Sequence, residues 1–298
     1  MTKVLCVGAA VVDFVFYLPQ LPSRPEKYGT EDARIVGGGC AANAAVAVAR
    51  LGGHAMLAAR MGDDRVGEMV LADLHAEAVD VSNVIPTKGG QSSYSSVVVD
   101  AAGERQIVNF RGRDLQFDTG WFDDIEGLGA VLTDTRRVGA AVAAMELAKA
   151  RGIPGIVDGE APVDPAILYP ASHIALSMQG LRSLYPDTHP QTALGLVAKT
   201  YGGWACVTDG ASGVLFTDTD TGSINHHPAH AIEAVDTLAA GDIWHGAFAL
   251  CLAQGAGEPE AVRFASAAAA LKCTRHGGRA GCPNRQETLE FLKGEPDP

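Results

Sequence analysis

The segment Asp236-Thr237-Leu238-Ala239-Ala240-Gly241-Asp242 sets three small residues directly before a carboxylate, and the following Ile243 to Leu252 has helical character. Small residues at a helix start let main-chain N–H groups approach an anion closely, and the helix dipole favours negative charge there. Ala239, Ala240 and Gly241 therefore read as an anion cradle. A carboxylate in such a cradle would repel a ligand that is merely bound, but it suits the removal of a proton from an attacking hydroxyl. Asp242 is the candidate general base of a group transfer to an alcohol. Taken alone, the segment fits equally well with Asp242 capping the helix.

Elements must carry this segment to a site. Lys3 to Gly8 is a short apolar run ending in glycine, as expected for a central parallel strand covered on both faces. After a polar, proline-bearing stretch from Pro19 to Arg34, Gly37 to Leu51 is small and apolar and reads as a buried helix. Strand and helix candidates then alternate: Ala55 to Arg60, Val66 to Ala78, Gly129 to Thr133, Val138 to Arg151, Gly155 to Asp158 and His173 to Ser177. That alternation predicts an α/β fold with a mostly parallel sheet flanked by helices. Ser92 to Asp100 and Arg105 to Phe110 flank a turn at Ala101 to Glu104 containing Gly103, and read as an inserted antiparallel hairpin. With extended residues from Phe14 to Ile35 it would form a small sheet, a lid over the carboxyl ends of the main strands. One domain over residues 1–298 is expected, with lid segments at about 14–36 and 90–111, and with a frayed tail from Gly294 to Pro298.

With 23 Lys plus Arg against 35 Asp plus Glu, the formal charge is -12, which disfavours nonspecific attraction to nucleic acid or anionic membrane. A small-molecule substrate is expected. An anionic one would require locally collected positive groups. The six cysteines are scattered singly, without the close pairs of a zinc site or redox dithiol, and read as reduced thiols. The apolar run from Val4 to Leu18 is interrupted by Asp13 and lacks a small-residue cleavage site, so it reads as a buried strand rather than a signal peptide. No apolar stretch approaches the roughly 20 residues that span a bilayer. A cytoplasmic location is expected.

Gly37-Gly38-Gly39-Cys40-Ala41-Ala42-Asn43-Ala44 with Arg50-Leu51-Gly52, and later Asp236 to Asp242, resemble the two signature regions of the PfkB, or ribokinase-like, carbohydrate kinases. Asp13, Gly62-Asp63-Asp64 with Gly67, and Val207-Thr208-Asp209-Gly210 with Gly213 fall in family order, so the resemblance covers nearly the whole chain. It implies a three-layer ribokinase-like fold with a β-sheet lid, ATP and Mg2+ as cofactors, and transfer of the γ-phosphoryl group to a sugar hydroxyl. Asp13 and Asn43 would hydrogen-bond sugar hydroxyls, with Gly38 and Gly39 beside them in the substrate site. Without the resemblance, Asp13 reads as a turn residue and Asn43 as a satisfied core amide. Thr208, Gly210 and Gly213 would bind the nucleotide, although a plain β-turn uses the same glycines. Ala239, Ala240 and Gly241 would be the anion hole beside Asp242. The family usually has glycine where this chain has Ala239, so an α-compatible backbone is expected there. Many members carry an Asn-x-x-Glu pair that organises magnesium; here the stretch reads Ser177-Met178-Gln179-Gly180, and no protein ligand for the ion is assigned.

Further stretches resemble the bacterial sulfofructose kinases, a branch of that family: Glu26-Lys27-Tyr28, Gly103-Glu104-Arg105 with Asn109, Asp134-Thr135-Arg136, Phe264-Ala265-Ser266 through Leu271-Lys272-Cys273-Thr274-Arg275, and Gly277-Gly278-Arg279-Ala280-Gly281. The implied acceptor is the 1-hydroxyl of 6-deoxy-6-sulfofructose. Lys27, Asn109 and Arg136 would then meet its sulfonate. The plainer alternative pairs Arg136 with Asp134 and leaves Lys27 solvated. Nearby Arg111, Arg113 and Arg137 could instead favour a phosphate or another acidic sugar, and fructose, ribose-like pentoses and nucleosides are competing acceptors. His245, Trp204 and Trp244 read as packing residues. A homodimer through the lid sheet is expected by analogy. A non-catalytic sugar or nucleotide sensor is the alternative from another class. A nicotinamide-dependent oxidoreductase is disfavoured, because no G-x-G-x-x-G follows the first strand.

Overall fold

Lys3–Val7 (β1) is flanked by a parallel strand on each side, and this explains why an unalternating apolar run forms it. The computed structural model describes residues 1–102 and 104–294; Gly103 of the expected hairpin turn and residues 295–298 of the expected tail lie outside the described residues. After β1 come β2 (Val11–Tyr17), β3 (Asp32–Gly38), α1 (Cys40–Arg50), β4 (His54–Ala58), α2 (Arg65–Ala76), β5 (Tyr94–Val99), β6 (Arg105–Phe110), β7 (Leu128–Asp134) and α3 (Val138–Arg151). They are followed by β8 (Gly155–Gly159), α4 (Pro165–Leu168), β9 (His173–Ser177), α5 (Met178–Leu184), α6 (Pro190–Tyr201) and β10 (Trp204–Thr208). The chain continues through β11 (Val214–Thr217), β12 (Ile224–His227), α7 (Ala240–Ala253), α8 (Glu258–Cys273) and α9 (Arg285–Lys293).

The main sheet has the order β12-β11-β10-β9-β8-β7-β1-β4. It is parallel from β10 to β4, and β11 and β12 add antiparallel strands at one edge. Alternate side chains of β1 serve two cores. Val4 and Cys6 pack with α1, α7 and α8, while Leu5 and Val7 pack with α3, α4 and α6. The result is three layers, helix–sheet–helix. α7 is buried without interruption from Ile243 to Leu252, as a helix apolar on every face must be. Trp204 and Trp244 both stack on Phe248 at 5.0 Å in this core.

A second sheet of order β3-β2-β5-β6 stands apart. Its hairpin strands Tyr94–Val99 and Arg105–Phe110 coincide closely with the expected pair. The Gly37 to Leu51 segment departs from expectation, because Gly37 and Gly38 end β3 and the helix begins only at Cys40. Gly39 makes the break: its φ is 92° and a Cβ there would meet the Ala9 carbonyl at 2.4 Å. All six cysteines are free. No helix among the described residues is long and apolar enough to cross a membrane.

Candidate active site

The carboxyl ends of the parallel strands share one edge, which is where open α/β sheets bind ligands. Asp134 ends β7, Asp158 is the penultimate residue of β8, and Glu160 follows it. α7 brings Asp242 to this edge within its first turn. Asn43 of α1 donates from Nδ2 to Asp242 Oδ2 at 2.6 Å, joining the two glycine-bearing segments although 199 positions separate them.

The first amides of a helix lack intrahelical acceptors. At α7 the Ala240 N–H donates to the Thr237 carbonyl at 3.2 Å, and the Ile243 N–H to Ala239 at 3.0 Å. The Gly241 and Asp242 amides between them are the ones positioned for an anion, and a Cβ on Gly241 would meet nothing within 4 Å. Ala239 corrects the expectation of an ordinary α backbone: it is left-handed, with φ 65° and ψ 9°. That conformation costs a non-glycine residue about 1–2 kcal/mol, and it turns the chain sharply into the helix. Behind it Asp236 accepts from the N–H groups of Leu238, Gly277 and Gly278 at 2.8, 2.9 and 3.1 Å. The fully buried Lys272 ammonium donates to the Asp236 carbonyl at 2.5 Å and lies 3.4 Å from its carboxylate.

Burial raises the Asp242 pKa to about 6; the Asn43 hydrogen bond opposes the rise, and the Glu160 and Asp134 charges add to it. Asp158 is pushed well above the usual carboxylate range, first by burial and then by the charges of Asp242, Glu160 and Asp134. Its Oδ1 has no hydrogen-bond partner among the described residues, and His245 Nδ1 lies 3.5 Å away. His245 is buried and packs under the cradle, with Nδ1 2.7 Å from the Gly241 carbonyl and Nε2 3.3 Å from that of Ala175. Burial holds its pKa below the usual imidazole value.

The lid supplies the opposite wall. Asp13 of β2, Ser95 of β5 and Asn109 of β6 are register partners and so form one rung on one face. Asn109 Nδ2 donates to Ser95 Oγ at 2.9 Å, and Ser95 hydrogen-bonds Asp13 in turn. Asp13 is therefore a strand residue and not a turn residue. A Cβ on Gly38 would sit 2.3 Å from its carboxylate, so any other residue there would have to displace the Asp13 side chain. Arg105, on the same face of β6, donates to Thr237 Oγ1 at 3.2 Å and fastens the lid to the anion-cradle loop.

Arg136 does not pair through its side chain with Asp134. Its main-chain N–H donates to Asp134 Oδ1 at 2.9 Å, whereas its guanidinium pairs with Glu160. Lys27 is exposed on the connection between β2 and β3. Among the described residues Lys27, Asn109 and Arg136 make no hydrogen bond or ion pair with one another. At the far edge Thr208 ends β10, with Oγ1 3.5 Å from the Leu176 carbonyl. Gly210 and Gly213 have φ 48° and 84°, and a Cβ on Gly213 would meet the His227 carbonyl at 2.2 Å.

Magnesium requires hard oxygen ligands. Cys40, Asp158 and Asp242 bring one ligand atom each within 4.8 Å of one another, but the set includes a thiol and a carboxyl whose burial favours its protonated form. Ser177 Oγ is occupied in capping α5, accepting from the Gly180 N–H at 3.0 Å, and Gly180 offers no side chain. These residues do not form an all-oxygen cage for magnesium. Sequence reasoning did not single out Ser95, Asp158 or Glu160 for the site. Only the strand-end position of Asp158 and Glu160 could have signalled them.

The pattern of the pfkB family carbohydrate kinases matches residues 1–285. A ribokinase from Bacillus subtilis is 28% identical over 301 residues, covering 98% of this chain and 100% of that protein. An ATP-dependent ribose-1-phosphate kinase from Halopiger xanaduensis is 28% identical, with 98% of each chain covered. The crystal structure of a protein assigned as a ribokinase from Agrobacterium tumefaciens superposes with a TM-score of 0.93 at 37% identity, covering 98% of this chain and 97% of that one. With this fold and this edge, the chain belongs to the PfkB family of carbohydrate kinases, phosphotransferases that take an alcohol as acceptor and use ATP with Mg2+.

Proposed function

We propose that the chain transfers the γ-phosphoryl group of ATP to a primary hydroxyl of a ketose-like sugar, with Asp242 as the general base. The observation that carries this is the Asp242 carboxylate in the first turn of α7, raised to about 6 and beside open helix amides. The sugar lies between the Asp13–Ser95–Asn109 rung of the lid and Asn43 on the floor. Asp13 and Asn43 fix its hydroxyls, and Gly38 and Gly39 let it approach the main chain. Asp242 takes the proton of the attacking hydroxyl as its oxygen bonds to the γ-phosphorus and the bond from that phosphorus to the bridging oxygen breaks, releasing ADP. The Gly241 and Asp242 N–H groups at the end of the Ala239–Ala240–Gly241 turn stabilise the charge that develops on the transferred group. Thr208, Gly210 and Gly213 border the nucleotide. Lid closure excludes water and aligns the reactants, which is where most of the acceleration in this reaction arises.

Within that activity the acceptor we favour is 6-deoxy-6-sulfofructose, converted to its 1-phosphate. Arg136 supports it: a half-exposed guanidinium at the end of β7 is the charge an anionic sugar needs in an acidic site, and the sulfonate would take the place of Glu160. Asn109 and a repositioned Lys27 would add donors from the lid. The Arg136–Glu160 pair also supports a second reading, a neutral acceptor such as fructose or ribose, because it leaves the guanidinium neutralised. Fructose, ribose, fructose 6-phosphate and 6-deoxy-6-sulfofructose compared by ADP release separate the two. The sulfonate sugar is expected to have the highest kcat/KM and to lose at least about tenfold with Arg136→Ala, the scale of one charge-assisted hydrogen bond. A sulfonate sugar no better than fructose, and indifferent to Arg136→Ala, would exclude the first reading.

We further propose a cytoplasmic homodimer through the lid. Phe16, Ile35, Tyr94 and Val108 share the outer face of the lid sheet and are 38%, 60%, 41% and 71% exposed, an apolar surface of the kind that association covers.

A further inference from the structure

We propose that Arg279 is a positioning residue for the transfer: its guanidinium holds the Asn43 amide in the one orientation that donates to Asp242. The proposal deepens the reading of Asp242 as the base and rests on it. Arg279 lies in the turn Gly278–Gly281 after α8, far from both partners in sequence, and is only 3% exposed. Its Nη1 donates to Asn43 Oδ1 at 3.4 Å, and the Asn43 Nδ2 donates to Asp242 Oδ2 at 2.6 Å. The other arm of the guanidinium pairs with Asp73 of α2, which pins the side chain. A Cβ on Gly37 would fall 1.7 Å from Nη2, so glycine at the end of β3 opens the slot through which the fork passes.

An amide has one accepting end and one donating end. While Asp242 is ionised, Asn43 donates to it with or without help. Once Asp242 carries a proton, a free amide would turn over and accept from it, which stabilises the acid form. A guanidinium on Oδ1 forbids that turn, because the flipped amide would present N–H to N–H. Arg279 thus disfavours only the protonated form and keeps the base available in weakly acidic solution. The other groups facing Asp242 are Cys40 from α1, Asp134 from β7, Asp158 and Glu160 from β8 and its end, and His245 on α7, with Arg136 behind Glu160. Arg279 hydrogen-bonds Asn43 and Asp73, and its charge also favours the ionised form of Asp13, so replacing it leaves the hydrogen bonds of the other groups in place.

The test titrates Asp242 directly by 13C NMR of aspartate-labelled protein, with Asp242→Asn identifying the resonance. In Arg279→Met its midpoint is expected to rise by roughly half to one pH unit, the worth of one hydrogen bond. The acid limb of kcat/KM, measured with ATP and the best acceptor of the panel above, should move by the same amount. A role confined to stability would lower Tm and leave the titration where it was. If Arg279→Met does not fold, Arg279→Gln takes its place, since a glutamine amide can itself turn and so cannot enforce the orientation. An unmoved midpoint in either folded variant overturns the proposal. A moved midpoint together with full turnover in Asp242→Asn would instead overturn Asp242 as the base and leave the Arg279–Asn43 linkage standing.

Discussion

Replacing Asp242 with Asn should abolish turnover and make the protein more stable, and both effects follow from the same burial. With a pKa of about 6, Asp242 is about nine-tenths ionised at pH 7 and about one-tenth at pH 5. The wild-type kcat/KM should therefore fall about tenfold between those values, whereas a carboxylate in its usual range would change little. In the Asn variant kcat should fall about 100- to 10,000-fold, the usual contribution of a positioned base. The folded state binds this proton more tightly than the unfolded chain does. The carboxylate therefore costs stability at every pH above about 6, and the cost lifts as pH falls towards the unfolded carboxyl value near 4. A shift of about two units corresponds to about 3 kcal/mol, and the open side of the cleft reduces this to about 1–3 kcal/mol. Asp242→Asn removes that cost at pH 7 while still accepting the Asn43 N–H, so urea unfolding at pH 7 should show the gain. Turnover within tenfold of the wild type, or a flat kcat/KM from pH 7 to pH 5, would refute the reasoning.

Lys272→Met keeps the buried stem but removes the ammonium from Asp236, and should destabilise the protein by about 2–4 kcal/mol, as breaking a buried pair does. A loss under about 0.5 kcal/mol by urea unfolding would show that the three amides on Asp236 suffice without the cation. For the lid, light scattering should give twice the chain mass for the wild type and the single mass for the double variant Phe16→Asp, Val108→Asp. A wild-type monomer, or a double variant that remains dimeric, would remove the lid face as the interface.

Much of the candidate edge is visible in local sequence because its parts are local. The cradle is three small residues before Asp242, and its backbone amides need only a helix start behind them. The start of α1 was misplaced: Gly37 and Gly38 belong to a strand and Gly39 to the break before the helix, because small residues carry little propensity for either element. The parallel sheet was legible for a similar reason: strands covered on both faces must be apolar in their interiors, and β1 and β7 to β10 carry polar residues only at or next to their ends.

What tertiary structure alone decided is which polar groups meet. Arg136 follows Asp134 by two residues, yet its guanidinium turns to Glu160 because the Asp134 carboxylate is taken by the main-chain N–H groups of Ala9 and Arg136. Asp13, Ser95 and Asn109 become one rung through the register of three strands, a relation that sequence distance does not encode. Arg279, Asn43 and Asp242 come from a turn and two helices. Side-chain hydrogen bonds of that span depend on packing to bring each donor within about 3 Å of its acceptor. Composition and propensity therefore determine the elements of this protein and place a carboxylate at a helix start, while the packing of those elements sets the proton affinity of Asp242.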